Sequence, residues 1–335
     1  MSAPAVPPIS VAMSTHNRVD SLRRVLPPLL DDPGTLEVVV VSNGSTDGTA
    51  ELLLDMARRE PRLRPIVLER DLGRIGGRRT AVEACRSDVV LIVDDDVLAG
   101  AGMVSGHARH HAAHDGPLVV VGYMPTPFPV GRRAGSFSTL LYARGYERHA
   151  AMWERDPDRI LVNIWAGNVS YPRATFLDID AGRFWPENSY HDDKFYGIEL
   201  YRRGVPATFD RSLAAVHLHR RSLEASLADW RLQGRDWIVL HRSASDILGQ
   251  ADLGQFTESL PGPLAALVRA SDDPDAYRRI RAGLVALVRT GTRTRCFPLE
   301  MRAGQMLRRV EIRHAARAEL HRHSNDIEGP IVSVA

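Results

Sequence analysis

Cysteine, lysine and aromatic residues are all scarce in this chain. Its 335 residues include only two cysteines, Cys85 and Cys296. Two thiols this far apart build neither a disulfide framework nor a thiolate metal site, and packing accounts for both. No charged segment leading into an apolar one opens the chain, and no apolar run is long enough to span a bilayer. A cytoplasmic protein is therefore expected. A large charge excess is also missing: the formal net charge is +2, which gives no support for a nucleic-acid partner. Lys194 is the only lysine among 43 basic residues. The arginines keep their charge and fork onto phosphate or carboxylate. No internal repeat or low-complexity segment is present.

What is there is an ordinary globular composition, 44% hydrophobic and 25% charged. The length admits one large α/β domain with an appendage, or two domains. Continuous apolar runs at Ile9–Met13, Leu36–Val41, Pro65–Leu68 and Asp88–Val93 read as strands. Helical spacing over Asp20–Leu30, Ser45–Arg58 and Ile75–Cys85 alternates with them. Buried strands alternating with helices imply a mostly parallel sheet covered on both faces. Leu118–Tyr123 adds a strand after a histidine-rich stretch, His107, His110, His111 and His114, which reads as a solvated helix face. Residues 128–157 read as a loop-and-helix connection. Ile160–Tyr171 reads as a strand with a turn at Gly167-Asn168, and Val205–Asp210 and Leu213–His219 as short strands. Beyond about residue 240 the pattern turns helical and basic, in Leu264–Ala270, Ala276–Val288 and Leu299–His321. The division expected is 1–240 as an α/β domain and 241–335 as an α-helical C-terminal extension. Arginine-rich helix faces of this kind are compatible with peripheral contact to an anionic membrane, although an ordinary solvated face is the commoner cause. A homodimer is equally compatible with the sequence.

The strand Val89–Val93 ends in Asp94-Asp95-Asp96. Three carboxylates at the C-terminal end of a buried strand repel one another, and a hard divalent cation relieves that repulsion. Three other segments belong at the same edge of a parallel sheet. They are Met13-Ser14-Thr15-His16-Asn17-Arg18, Ser42 to Thr49, and Gly76-Gly77-Arg78-Arg79. Together they offer carboxylates, arginine, small polar groups and helix N-termini, which suits a nucleoside diphosphate with a bridging metal.

On these residues the chain resembles the family-two glycosyltransferases, which have the GT-A fold. The resemblance runs from about residue 8 to 225. It continues through Trp165-Ala166-Gly167-Asn168, Asp192-Asp193 ahead of the helix Phe195–Arg203, and Val216-His217. It implies a mostly parallel mixed sheet flanked by helices, a nucleotide-sugar donor and a divalent cofactor, Mn²⁺ or Mg²⁺. Asp96 and His217 would ligate the metal, with His219 as the alternative imidazole. Asp94 or Asp95 would contact the ribose, and Arg79 the diphosphate. Ser14, His16, Arg18, Asn43, Trp165 and Asn168 would complete the donor site. Trp165 fits either a stacking surface or the core. Asp193 would be the general base, with Asp192 beside it binding acceptor or supporting groups.

Asn43 stands where uracil-binding members commonly have aspartate. An amide both accepts and donates, so uracil, thymine or another base fits, with UDP first. The expected reaction is sugar transfer to a hydroxyl of a natural product, or of a small-molecule or lipid-linked cell-envelope intermediate. Inversion is expected, with retention as the alternative. Two rivals share the pattern. A nucleotidyltransferase would need a glycine-rich first loop, and Met13–Arg18 has no glycine. A binding module with a degenerate site would not need to keep Asp96, Asp193 and His217.

Overall fold

The computed structural model describes residues 6–127, 135–179 and 190–327. Within them the chain forms two compact units. The first comprises residues up to 127 and Ala143–His219, and the second comprises residues up to Tyr142 from 128 together with Arg220 onward. The change of unit falls at His219, some twenty residues before the point where the sequence pattern shifts.

The first unit is built on one eight-stranded sheet. Strands β1 (Ile9–Thr15), β2 (Thr35–Asn43), β3 (Leu63–Leu68) and β4 (Val89–Val93) pair in parallel in the order β3-β2-β1-β4. Val38 to Val41 are fully buried, as a strand covered on both faces requires. Helices α1 (Val19–Asp31), α2 (Thr49–Ala57) and α3 (Gly73–Ala84) connect these strands. The ends of β1, β2 and β4 therefore open on one edge.

Four further strands make the sheet mixed: β5 (Val97–Ala99), β6 (Val119–Tyr123), β7 (Asn168–Pro172) and β8 (Ala207–His217). β7 runs antiparallel between β4 and β6, β6 pairs parallel with β8, and β5 closes antiparallel on β8. Helices α4 (Met103–Ala112), α5 (Phe137–Arg155), α6 (Arg173–Leu177) and α7 (Asp192–Arg202) complete the described part of this unit, α5 contributing only from residue 143.

Three local expectations change. Residues Leu161–Asn163 form a 3-10 turn rather than a strand, and the strand begins only at Asn168. Short apolar runs are buried in either conformation, so periodicity cannot separate them. The two strands expected near residues 205–219 are one strand, whose register against β6 jumps from Asp210 to Ala214. His107 lies on α4 but is fully buried, not solvated.

The second unit is helical: α8 (Leu223–Ser243), α9 (Ser245–Leu248), α10 (Gly262–Ala270), α11 (Pro274–Arg293) and α12 (Phe297–Ile327). Ser222 and Asp273 cap α8 and α11 by accepting from Ala225 N–H and Ala276 N–H. Leu227, Trp230, Val268, Leu284, Val288, Leu307 and Val310 form its core. Glu311 is buried within it and accepts from Arg231, Arg281 and Tyr277, which offsets the cost of burying its charge. No helix among the described residues is long and apolar enough to cross a membrane.

Candidate active site

The three aspartates at the end of β4 point to different partners. Asp94 is anchored through its backbone N–H to Gly167 O at 3.3 Å. Asp95 accepts from Thr15 Oγ1 at 2.7 Å and lies 3.9 Å from Arg18, while its carbonyl accepts from Ser21 Oγ. Burial pushes its carboxyl up to about 6 against the Thr15 hydrogen bond. Asp96 lies 3.1 Å from His217 Nε2. β5 begins at the next residue, and its Val97 is paired with His217. The backbone thus fixes His217 beside the carboxylate, and Leu218 N–H bonds Asp96 O at 2.8 Å. Burial opposes the charge of Asp96. The hydrogen bond and charge of His217, with Arg18 and His219, nevertheless bring its carboxyl down to about 2. Burial raises Asp94, with the Arg78 charge acting in the opposite sense. Among the described residues no three histidine, cysteine or acidic side chains gather as a metal-ligating cluster. Asp96 and His217 are a pair of donors, one oxygen and one nitrogen.

The loops after β1 and β2 are laced together. Asn17, in the left-handed region at φ 55°, accepts from Thr46 N–H through Oδ1 and donates its own N–H to Ser45 Oγ. Asp47 accepts from Val19 N–H and from Thr49 N–H, so α2 starts at Thr49 rather than Ser45. His16 is exposed, with Nδ1 on the Asn43 carbonyl at 2.8 Å. Asn43 itself is buried and fully engaged. Its Oδ1 accepts from Leu72 N–H, and its Nδ2 donates to Asp71 Oδ1 at 2.6 Å and to Gly73 O. In this arrangement both Asn43 amide hydrogens are used, while its Oδ1 accepts one bond and keeps a second lone pair. Its partner Asp71 is exposed and was not singled out from the sequence. Gly77 is the point of closest approach of α3 to the strand ends. An added Cβ there would collide with Ser14 Oγ and meet Asn43 Nδ2 at 3.0 Å.

The arginine that faces the acids is Arg78, not Arg79. Arg79 bonds Glu83 Oε1 at 2.9 Å and the Ile179 carbonyl. One residue back, about 100° around the helix, Arg78 donates to Asp192 Oδ2 at 2.5 Å. Burial works against its charge, but Asp192, then Asp94 and Asp193, hold the proton more firmly. Arg74, on the same helix, also acts on Asp94. Neither Arg74 nor Arg78 was selected by sequence, because spacing alone leaves the phase of α3 open.

Asp193 accepts from Ala166 N–H at 3.2 Å and Lys194 N–H at 2.8 Å. Burial and the adjacent Asp192 raise its carboxyl above the usual range. The next residue, Gly167, carries the carbonyl that holds Asp94. At φ +114° an added Cβ would stand 2.8 Å from Asp94 Oδ2. The segment Ala166–Gly167 therefore joins Asp94 to Asp193. Trp165, immediately before it, is half-buried, with His149 at 4.8 Å and Tyr146 at 5.6 Å between ring centroids.

Asn168 is turned away from this group. Its Oδ1 lies 2.9 Å from His107 Nε2, and its Nδ2 donates to Leu213 O at 2.9 Å. Successive strand residues face opposite sides, and this one faces α4. Ser170, two residues on, lies 2.9 Å from His107 and 2.7 Å from His111. Burial drops His107 to about 3 and His111 to about 4.

With this geometry described, comparison with known proteins adds the family. Residues 10–168 match the family described as Glycosyl transferase family 2. Part of the chain is similar to succinoglycan biosynthesis proteins of Rhizobium meliloti (strain 1021). Identity to ExoO is 34% over 100 residues, and to ExoU 28% over 96 residues. Each alignment covers 29% of this chain and only 28% of the relative's length. Among solved structures, the mannosyltransferase PcManGT from Pyrobaculum calidifontis, in complex with GDP-Man and Mn²⁺, is similar with a TM-score of 0.60 at 17% identity. That match covers 95% of this chain and 88% of that one. Glucosyl-3-phosphoglycerate synthase from Mycobacterium tuberculosis, in complex with Mn²⁺, UDP and phosphoglyceric acid, has a TM-score of 0.52 at 17% identity. It covers 74% of this chain and 81% of that one. These likenesses establish the fold: the eight-stranded mixed sheet is the GT-A sheet.

Proposed function

We propose that this chain is a metal-dependent glycosyltransferase that moves a sugar from a nucleoside diphosphate to an acceptor hydroxyl. The observation that carries the reading is the short segment Ala166–Gly167. It ties Asp94, at the donor end of β4, to Asp193, a carboxylate of raised proton affinity. The family match of residues 10–168 and the donor complexes of similar structures support the same reading.

Asp96 and His217 suit a divalent ion by their chemistry, a carboxylate oxygen and an imidazole nitrogen beside each other. Two protein ligands are enough when phosphate oxygens and water complete the shell. Bound there, such an ion would neutralise charge on the departing diphosphate. The protein's own cations act in the same sense: Arg18 lies beside Asp95 and Arg74 acts on Asp94. They stabilise charge that grows in the transition state, where electrostatic groups gain most. Asp95, fixed by Thr15 and Ser21, is suited to a ribose hydroxyl.

In the reaction the acceptor oxygen bonds to the anomeric carbon as the bond to the diphosphate oxygen breaks. The diphosphate leaves with the electron pair, and the acceptor proton passes to Asp193. A carboxylate base positioned for the acceptor favours inversion, and such a base contributes typically ~10² to 10⁴-fold. With its amide hydrogens engaged, Asn43 can offer a base only the second lone pair of Oδ1, and the exposed Asp71 beside it is a further acceptor. UDP and GDP donors are both to be tested. The deciding experiment is Asp193→Asn. Donor binding is kept and turnover falls by orders of magnitude if Asp193 is the base. Full turnover in that variant assigns the role elsewhere, and NMR of the product's anomeric carbon separates inversion from retention.

A further inference from the structure

Asp192 and Asp193 are adjacent carboxylates in the first turn of α7, yet they are held in opposite ways. Asp192 is buried and bonded to a guanidinium on α3. Among the described residues, Asp193 is held by backbone amides, Ala166 N–H and Lys194 N–H. We infer that Arg78 is a positioning residue: it fixes Asp192 against α3 as an ion pair and leaves Asp193 as the carboxylate free to exchange a proton with the acceptor. The inference rests on the reading of Asp193 as the general base.

The geometry supports it on three counts. The Arg78–Asp192 contact is 2.5 Å, with side chains only 14% and 5% exposed, so the pair is screened little by solvent. The two members come from α3 and α7, 114 residues apart, so the contact fixes the start of α7 relative to α3. Among the described residues, the groups that act on Asp193 include Asp192 and Lys194 on α7, Arg78 on α3, and the Tyr171 hydroxyl on β7. Asp192 disfavours the Asp193 anion, and Lys194 and Arg78 favour it. A neutral side chain at 78 would leave two adjacent buried carboxylates without their shared cation, and such a pair holds on to one proton. Burial of the Asp193 carboxyl acts in the same direction.

The test is carboxyl ¹³C NMR of the full chain labelled at aspartate Cγ, titrated with pH, with Asp193→Asn assigning its resonance. The variants are Arg78→Lys, Arg78→Met and Asp192→Asn. Asp192→Asn is expected to shift the Asp193 midpoint to lower pH, because a like charge is gone. Arg78→Met should make the Asp192–Asp193 pair keep its proton to higher pH, and Arg78→Lys should return it toward wild type. Where Arg78→Met does not fold, Arg78→Lys and Asp192→Asn decide alone. Midpoints that move in neither Arg78→Met nor Asp192→Asn overturn the inference. Turnover of UDP-glucose or GDP-mannose with water as acceptor separates the two claims. Full activity in Asp193→Asn removes the base assignment and this inference with it. An inactive Asp193→Asn with unmoved midpoints removes only the role of Arg78.

Discussion

His217 Nε2 and Asp96 Oδ1 lie 3.1 Å apart, although 121 residues separate them in the chain. The antiparallel pairing of β5 with β8 makes this contact obligatory, since Val97 and His217 are register partners. The proposed metal function follows from that pairing. Asp96→Ala and His217→Ala should each abolish the metal-dependent part of nucleoside diphosphate binding. Calorimetry with Mn²⁺ and with EDTA checks this. Equal affinity in both conditions for either variant removes that residue from the metal site.

The proton affinity of Asp193 sets the pH dependence. Its carboxyl is pushed up to about 6, and only the ionised form takes a proton. Turnover should therefore rise with pH through about 6 and level off above it, falling about tenfold per unit below. A kcat profile that stays flat from pH 5 to 8 contradicts the assignment.

Gly167 has a positive φ and touches Asp94. Gly167→Ala sets a Cβ against Asp94 Oδ2 and Met124 Sδ in a conformation L-residues seldom adopt. The expected cost is ~1–3 kcal/mol, read as a lower denaturation midpoint. Because the same residue joins Asp94 to the Asp193 loop, the folded variant should also lose turnover. A variant of wild-type stability and rate would show that the segment has room the structure does not give it.

Asn168 discriminates structure from binding. Asn168→Ala would strand His107 and the Leu213 carbonyl inside the core, at ~1–3 kcal/mol for each unsatisfied group. The donor affinity of the folded fraction should stay at the wild-type value. A selective loss of donor affinity at unchanged stability would return Asn168 to the site.

The same network predicts acid sensitivity. His107 is held neutral down to about 3 by burial, whereas an unfolded histidine protonates near 6.5. The unfolded state thus binds the extra proton. The stabilisation from His107 is complete above about 6.5 and is lost as pH falls toward about 3, by up to ~1.4 kcal/mol per unit. Urea denaturation across that range checks the slope. Stability that rises as pH falls would contradict it.

How legible this was depended on which physical signal each residue leaves in the sequence. Val89–Val93 with Asp94–Asp96 was readable because a short apolar run rich in β-branched residues favours a buried strand, and its acids must then lie at the edge. Arg78 and Arg79 were not separable, because one residue of helix phase decides which faces the acids. α3 also starts at Gly73, ahead of the expected Ile75. Asn168 looked like a ligand-binding turn residue because its partners, His107 and Leu213, are 61 and 45 residues away in sequence. Polar histidines on α4 looked solvated for the same reason: the buried hydroxyl of Ser170 is brought to them only by sheet formation. Asn43 carried the family position, but its amide is spent on Asp71, Leu72 and Gly73. α8 left no clean stripe, because Arg231, Arg235 and Asp236 interrupt its apolar spacing.

The most direct test of the account is calorimetric titration of the full chain with UDP, dTDP, GDP, CDP and ADP, first with Mn²⁺ and then with EDTA. The account predicts that one diphosphate binds, that EDTA abolishes binding, and that Asp96→Ala does the same. Failure of all five to bind, with or without the metal, would contradict it and leave the sheet edge without the donor that its arginines and aspartates are arranged to hold.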